Sequence, residues 1–162
     1  MSFLARLTFD GSNYYTVLNA DYQITQSIGR SNLPNRNPEI GLIHLVLEST
    51  NSDELVVWAM APNVTKNGSL TFFNRDFSDS LKTLEFYNAF CINYKEIFNA
   101  DGSQPMKTEL TISSHRITIQ GAELQQDWVG FNSGQSGESS GASTTSPQHE
   151  DSDTGEISSF RP

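Results

Sequence analysis

The chain has 162 residues, the size of one domain, and 36% of them are hydrophobic, enough for one modest core. Its formal net charge is -9: residues 1–131 carry 9 basic and 14 acidic side chains, and residues 132–162 carry 1 and 5. Neither part offers the basic surface that phosphate backbones or anionic headgroups require, which argues against nucleic acid and membrane surfaces as partners. The single cysteine, Cys91, rules out an internal disulfide and a cysteine zinc site.

The first residues, Met1-Ser2-Phe3-Leu4-Ala5-Arg6, show no basic stretch followed by an apolar run and a small-residue cleavage site. No window is apolar for long enough to span a bilayer as a helix. The expectation is a protein made in the cytoplasm, with no membrane insertion. Any export, to the extracellular space or a target cell, would use a route other than a cleaved signal peptide.

Residues 3–9 alternate, with Phe3, Ala5, Leu7 and Phe9 on one face, the period of a half-buried strand. Asp10-Gly11-Ser12-Asn13 is a turn cluster. The run from Tyr14 to Ile24 follows, with Tyr14, Leu18, Ala20, Tyr22 and Ile24 predicted on one face, so the two runs form a hairpin. Residues 28–39 hold Pro34 and Pro38 and no periodicity; they read as a long loop, and long loops in compact domains are usually functional or disordered. Ile40 to Leu47 is almost wholly apolar and is expected to be a strand covered on both faces.

One helix is predicted, over 52–61. Asn51 or Ser52 would cap it, Asn51 stands three before Glu54 as in a capping box, and Leu55, Trp58 and Ala59 form an apolar stripe. Pro62 stops it. Lys66-Asn67-Gly68-Ser69 reads as a turn and Leu70–Asn74 as a short strand. Leu81–Phe98 places Leu84, Phe86, Phe90, Ile92, Tyr94 and Phe98 on even positions; it is too long for one flat strand, so a bend or turn is expected near Asn88-Ala89. Met106–Ile119 is the last strong run, with Leu110 and Ile112 on one face and Ile117 and Ile119 on the other, and Gly121 ends it.

The pattern is mainly β: a small β-barrel or sandwich with one short flanking helix, filling residues 1–131. The remainder differs. Of the 31 residues from Asn132 to Pro162, 16 are Ser, Gly or Thr, and only Ile157 and Phe160 are large and apolar. Such a segment buries too little surface to offset its ordering entropy, so 132–162 is expected to be an acidic, disordered tail. Its terminal Ile157-Ser158-Ser159-Phe160 could serve as a docking peptide.

Catalytic chemistry is not written in the chain. His44, His115 and His149 have no metal-ligand spacing, and no nucleophile elbow or phosphate loop is present, so no metal, cofactor or catalytic residue is assigned. Cys91 lies in the apolar Ala89-Phe90-Cys91-Ile92 and reads as a small core residue. The carboxylates Asp53, Glu54, Asp76 and Asp79 fall at cap and loop positions, where water keeps them ordinary. Arg75-Asp76 suits a local or inter-subunit salt bridge. Trp58 belongs to the core stripe, whereas Trp128 is open to packing or to contact with a ligand.

The order and spacing of several segments resemble the tube protein of bacterial type VI secretion systems, the hemolysin-coregulated protein family in its Bacteroidetes form. They are Met1–Leu7, Leu18-Asn19-Ala20-Asp21-Tyr22 with Gln26, Glu48-Ser49-Thr50, Trp58, Lys66-Asn67-Gly68, Phe73-Asn74-Arg75-Asp76, Leu81–Phe86, and Pro105-Met106 leading into Leu110–Ser113. The resemblance covers about residues 1–128. It implies a non-catalytic structural subunit, a barrel with a flanking helix, six copies in a ring, and rings stacked into a hollow tube. The implied partners are further copies, a contractile sheath, a spike and effectors. Ile28, Arg30, Leu33 and Arg36 are then candidates for a ring-stacking loop. The alternative is a monomeric barrel binding a small ligand or glycan near Trp128. The tail departs from the family pattern.

Overall fold

The computed structural model describes residues 4–10, 14–74, 79–103 and 106–129. Nine strands and one helix follow in the order β1 (Ala5–Phe9), β2 (Tyr14–Asp21), β3 (Ile24–Thr25), β4 (Glu39–Ile40), β5 (Ile43–Glu48), α1 (Glu54–Met60), β6 (Lys66–Phe73), β7 (Ser80–Phe98), β8 (Met106–Ile119) and β9 (Ala122–Gln125). The main sheet runs β5-β2-β1-β6-β7-β8-β9, and β5 also pairs with β8. Every pairing is antiparallel, so six strands close into a barrel and β9 is an addition to β8. The expected small barrel with a short flanking helix is what the chain forms.

Closure depends on an irregularity shared by β7 and β8. Burial on β7 moves from Leu84 and Phe86 to Ala89, and on β8 from Thr108, Leu110, Ile112 and Ser114 to His115 and Ile117. Both strands change parity at the same rung, where Tyr87 faces Arg116 and Ala89 faces Ser114. Asn88 takes a left-handed backbone, φ 51°, between them. Asn can hold that conformation at modest cost, and the Asn67 side-chain oxygen accepts its amide at 2.8 Å. The Ser114 hydroxyl is shared between the Tyr87 and Arg116 carbonyls, at 3.1 and 2.7 Å. A bulge at Cys91–Asn93 then restores the even parity, bringing Tyr94 back against the core.

Four readings are corrected by this geometry. In β2, Tyr15 and Val17 face the core while Tyr14 and Ile24 are exposed, because a bulge between Val17 and Asn19 changes parity before Ala20 and Tyr22 turn inward. Strand β5 is covered on one face only: Ile43, Leu45 and Leu47 are buried, His44 and Glu48 exposed. Lys66-Asn67-Gly68-Ser69 is strand, not turn. Gly68 is there for close approach, since a Cβ would lie 2.6 Å from the Thr8 carbonyl oxygen and 2.7 Å from Phe86 Cζ. On β7, Ile92 and Phe98 are exposed, and on β8 the two apolar sets meet one core because of the bend.

Helix α1 closes one end of the barrel. It is shorter than predicted, and its N-cap is Asp53, whose side chain makes no capping bond; the Glu54 amide is instead bonded to the Ser52 hydroxyl at 3.3 Å. Glu54 is not a capping-box residue, because its carboxylate is engaged elsewhere. It accepts the Tyr15 hydroxyl at 2.7 Å and Lys66 Nζ at 2.8 Å, tying the helix to β2 and β6. Leu55 and Trp58 plug the interior; the Trp58 ring meets Phe9 edge-on at 5.4 Å and its Nε1 donates to the Val64 carbonyl at 3.1 Å. Trp58→Ala should cost about 3–5 kcal/mol in denaturant unfolding. Gly68→Ala should cost about 1–3 kcal/mol by overpacking, whereas Val57→Ala, on the outer face, should change stability by less than about 0.5 kcal/mol.

Candidate functional site

The residues predicted as a loop fold back on themselves. Ile24 and Thr25 pair with Ile40 and Glu39, Ile28 bridges Pro34, the Gly29 amide donates to the Leu33 carbonyl at 2.8 Å and the Asn35 amide to Ser27 at 3.0 Å. Side chains reinforce the pairing: the Ser27 hydroxyl donates to Asn35 Oδ1 at 2.8 Å and Gln26 Nε2 to the Arg36 carbonyl at 3.1 Å. Asn32 turns the tip with φ 59°. The segment is therefore a hairpin arm, hydrogen-bonded along its length, that leaves the barrel after β2 and returns at β5. Sequence periodicity missed it because its strands bury almost nothing; the signals were Asn32 at the turn and polar side chains suited to cross-strand bonds.

Ile28, Arg30 and Leu33 lie at the tip of the arm, and Arg36 lies below it on the return strand, opposite Gln26. Ile28 and Leu33 are 62% and 66% exposed, and Arg30 and Arg36 are exposed as well. Residues 22–38 contain no Asp or Glu, and the arm's one acid, Glu39, lies at its base in β4. Two bare aliphatic side chains on a self-bonded arm suit burial against another surface better than solvent. The second candidate pair, Arg75 and Asp76, lies outside the described residues, as do His149 and the segment 132–162.

Two further surfaces are unpartnered. Residues 90–98 of β7 are paired to β8 on one side only, and among the described residues nothing pairs with their other edge or with the outer edge of β9. Phe98 projects there 71% exposed. An open edge presents free amides and carbonyls and is a template for another strand. The outer face of α1 is also apolar, with Val57 and Met60 exposed.

The other sequence candidates resolve into packing. Trp128 is half-buried against Phe90 and His115, with ring centroids 5.7 and 5.2 Å away. His44 is exposed on β5, its Nδ1 3.2 Å from the Thr111 hydroxyl. A surface cavity of about 530 Å³ opens at the barrel end remote from α1, lined by Val17, Tyr22, Phe72, Leu81 and Lys82 among others, and Trp128 is not among its walls. Phe3, predicted to share the inward face of β1, lies outside the described residues beside Leu4, which borders this cavity. Among the described residues no group of three or more His, Cys, Asp or Glu converges, and no helix is long and apolar enough to cross a membrane.

A small antiparallel barrel with a projecting arm, a bare helix face and an open sheet edge is a building block for assembly. The chain matches the family model of the hemolysin coregulated protein Hcp (TssD) over residues 1–129, and it belongs to that family. It is similar to Hcp1 from Flavobacterium johnsoniae, with 34% identity and a TM-score of 0.70 over 76% of this chain and 99% of that one. Hcp1 from Salmonella typhimurium (13% identity, TM-score 0.61, 76% and 92% covered) and Hcp3 from Pseudomonas aeruginosa (8%, 0.54, 78% and 99%) share the fold. No curated protein matches the chain. Its role is the structural one of the family, in the tube of a type VI secretion system.

Buried and half-buried titratable groups make this barrel less stable at alkaline pH. Burial raises Cys91 above 9.0, against a weaker opposing hydrogen bond with the Asn93 backbone, and burial also raises Tyr15 above 10.0. Tyr94 is pushed up to about 12, by burial first and then by Glu96. Each group ionises more readily unfolded than folded, so this stability is fully present below the unfolded values. It is lost as pH rises past 9.0 for Cys91, past 10.0 for Tyr15, and from 10.0 through about 12 for Tyr94. The melting temperature should fall over that range, and Tyr94→Phe should flatten the upper part of the fall; a pH-independent melting temperature there would contradict the assignment.

Proposed function

We propose that six copies of this chain close into a ring, that rings stack into a hollow tube, and that a contractile sheath drives the tube outward behind a spike. Effectors travel with it, and the protein leaves the cell without a cleaved signal peptide. The observation that carries this reading is the arm tip: Ile28 and Leu33 are bare on a chain that belongs to the Hcp family. Nothing within one described subunit covers them. A contact made by such a tip on a different patch of another copy is heterologous, and contacts of that kind build rings and open stacks.

The open edge of β7 supports lateral association. It carries Lys95 and Glu96 as exposed charges, which disfavour indiscriminate pairing and leave a specific partner edge possible. Arg75 and Asp76 remain candidates for a salt bridge between neighbouring copies. The work of such a subunit is assembly, so no catalytic residue or cofactor is assigned to it. The segment 132–162, with a net charge of -4, would repel its copies around a ring and favour solvent over a crowded lumen.

Native mass measurement with electron microscopy tests the proposal. The unmodified protein should give ring-sized particles and end-to-end stacks. Deleting Ser31–Asn35, which removes the tip with Leu33, should leave ring mass unchanged and abolish stacks. A protein that stays monomeric would refute the tube reading, and unaltered stacks after the deletion would refute the role of the arm.

A further inference from the structure

The two ends of β5 carry complementary features. The arm enters β5 at Ile43 and α1 follows Glu48, so arm and helix leave opposite ends of a six-residue strand, about 17 Å apart at strand rise. Tyr15, near the start of β2, reaches Glu54 of the helix, while the other end of β2 runs into the arm. The barrel thus has a helix end and an arm end.

The helix end is bare in the way the arm tip is bare. Leu55 and Trp58 face inward, but Val57 is 57% exposed and Met60 77%, and Val64 beyond them is exposed as well. A helix apolar on both faces is normally buried on both. The charges also match. Residues 48–64 contain Glu48, Asp53 and Glu54 and no Lys or Arg, the reverse of residues 22–38 in the outer part of the arm. Glu54 is engaged by Lys66 and Tyr15, leaving Asp53 exposed at the head of the helix.

We infer that the arm tip of one copy docks on the helix end of the next, with Ile28 and Leu33 against Val57, Met60 and Val64, and Arg30 and Arg36 toward Asp53. The inference rests on the stacking reading and names its missing half. It joins unlike patches on opposite ends of the subunit, so it repeats head to tail without closing. The cavity at the arm end is the poorer socket. An arm seated there would join like ends, giving a contact that stops at two layers, and Lys82 would meet two arginines.

The test uses the full-length chain. Met60→Glu and Asp53→Arg change exposed side chains and should leave ring mass and melting temperature unchanged. Each should lower the population of joined rings at least about tenfold, a change of roughly 1.4 kcal/mol in each contact. Arg30→Asp with Arg36→Asp should do the same, and combining these with Asp53→Arg should restore stacking. A direct readout is oxidation of a Cys91→Ser chain carrying Leu33→Cys and Met60→Cys, which should give a ladder of cross-linked chains. The same background carrying Leu33→Cys and Leu81→Cys should not. Normal stacking by both single variants, or a ladder from the Leu81 pair alone, overturns the docking site and leaves the tube reading standing. Failure of the unmodified protein to form rings overturns both.

Discussion

The barrel exists because β8 serves two neighbours along one edge. Its first half pairs with β5 and its last four residues with β9, while β7 runs along its other side for the whole length. A flat strand could not turn from one wall to the other and keep its apolar side chains inside. The change of parity at the Tyr87–Arg116 and Ala89–Ser114 rungs does this, held by the left-handed Asn88, the Asn67 side chain and the shared Ser114 hydroxyl. Each of these is a polar group satisfied inside a bend, where an unsatisfied one would cost about 1–3 kcal/mol.

What the bend encloses decides what is left outside. The interior takes Leu7, Leu45, Leu47, Leu70, Leu84, Phe86, Leu110 and Ile112, and Trp58 seals the helix end. With this small core filled, most of the exposed large apolar residues lie on the arm, on or just beyond the outer helix face and along residues 90–98 of β7, while Tyr14, Leu81, Met106 and Val129 lie elsewhere. Scattered exposed side chains need no explanation. Here most of them cluster on three features, the distribution the proposed assembly requires of its subunit.

Legibility in the sequence followed how closely local pattern and global burial agree. Strand β1 has no irregularity, and its alternation placed Leu7 and Phe9 correctly. Strands β2, β7 and β8 contain bulges or bends, so a strict period of two assigned Tyr14, Ile92 and Phe98 to the core when they are exposed. Asn67-Gly68 carries the signature of a turn, yet its glycine answers to Phe86 and Thr8, residues distant in the chain. The arm was visible as an anomaly but not as a hairpin, because cross-strand side-chain bonds leave no hydrophobic period. Its four candidate residues are close in sequence, and three of them, Ile28, Arg30 and Leu33, fall at the tip. The helix face was hidden for the opposite reason: Trp58 and Leu55 explained the helix as core, and nothing in a linear reading asks what Val57 and Met60 do.

In the proposed tube, an acidic subunit must overcome its own charge. At a formal -9 per chain, the net electrostatic term between copies opposes association and is screened by salt over roughly 8 Å at physiological ionic strength. Apolar burial supplies attraction that salt does not weaken, and it does so without orientation. Orientation has to come from local charge, and the outer part of the arm, residues 22–38, carries Arg30 and Arg36 and no acid. Complementary charge of this kind governs register and approach more than affinity. In the proposed stacking contact, bare aliphatic side chains and two arginines on one narrow arm would therefore divide the labour: the first would hold copies together, and the second would select the end at which they meet.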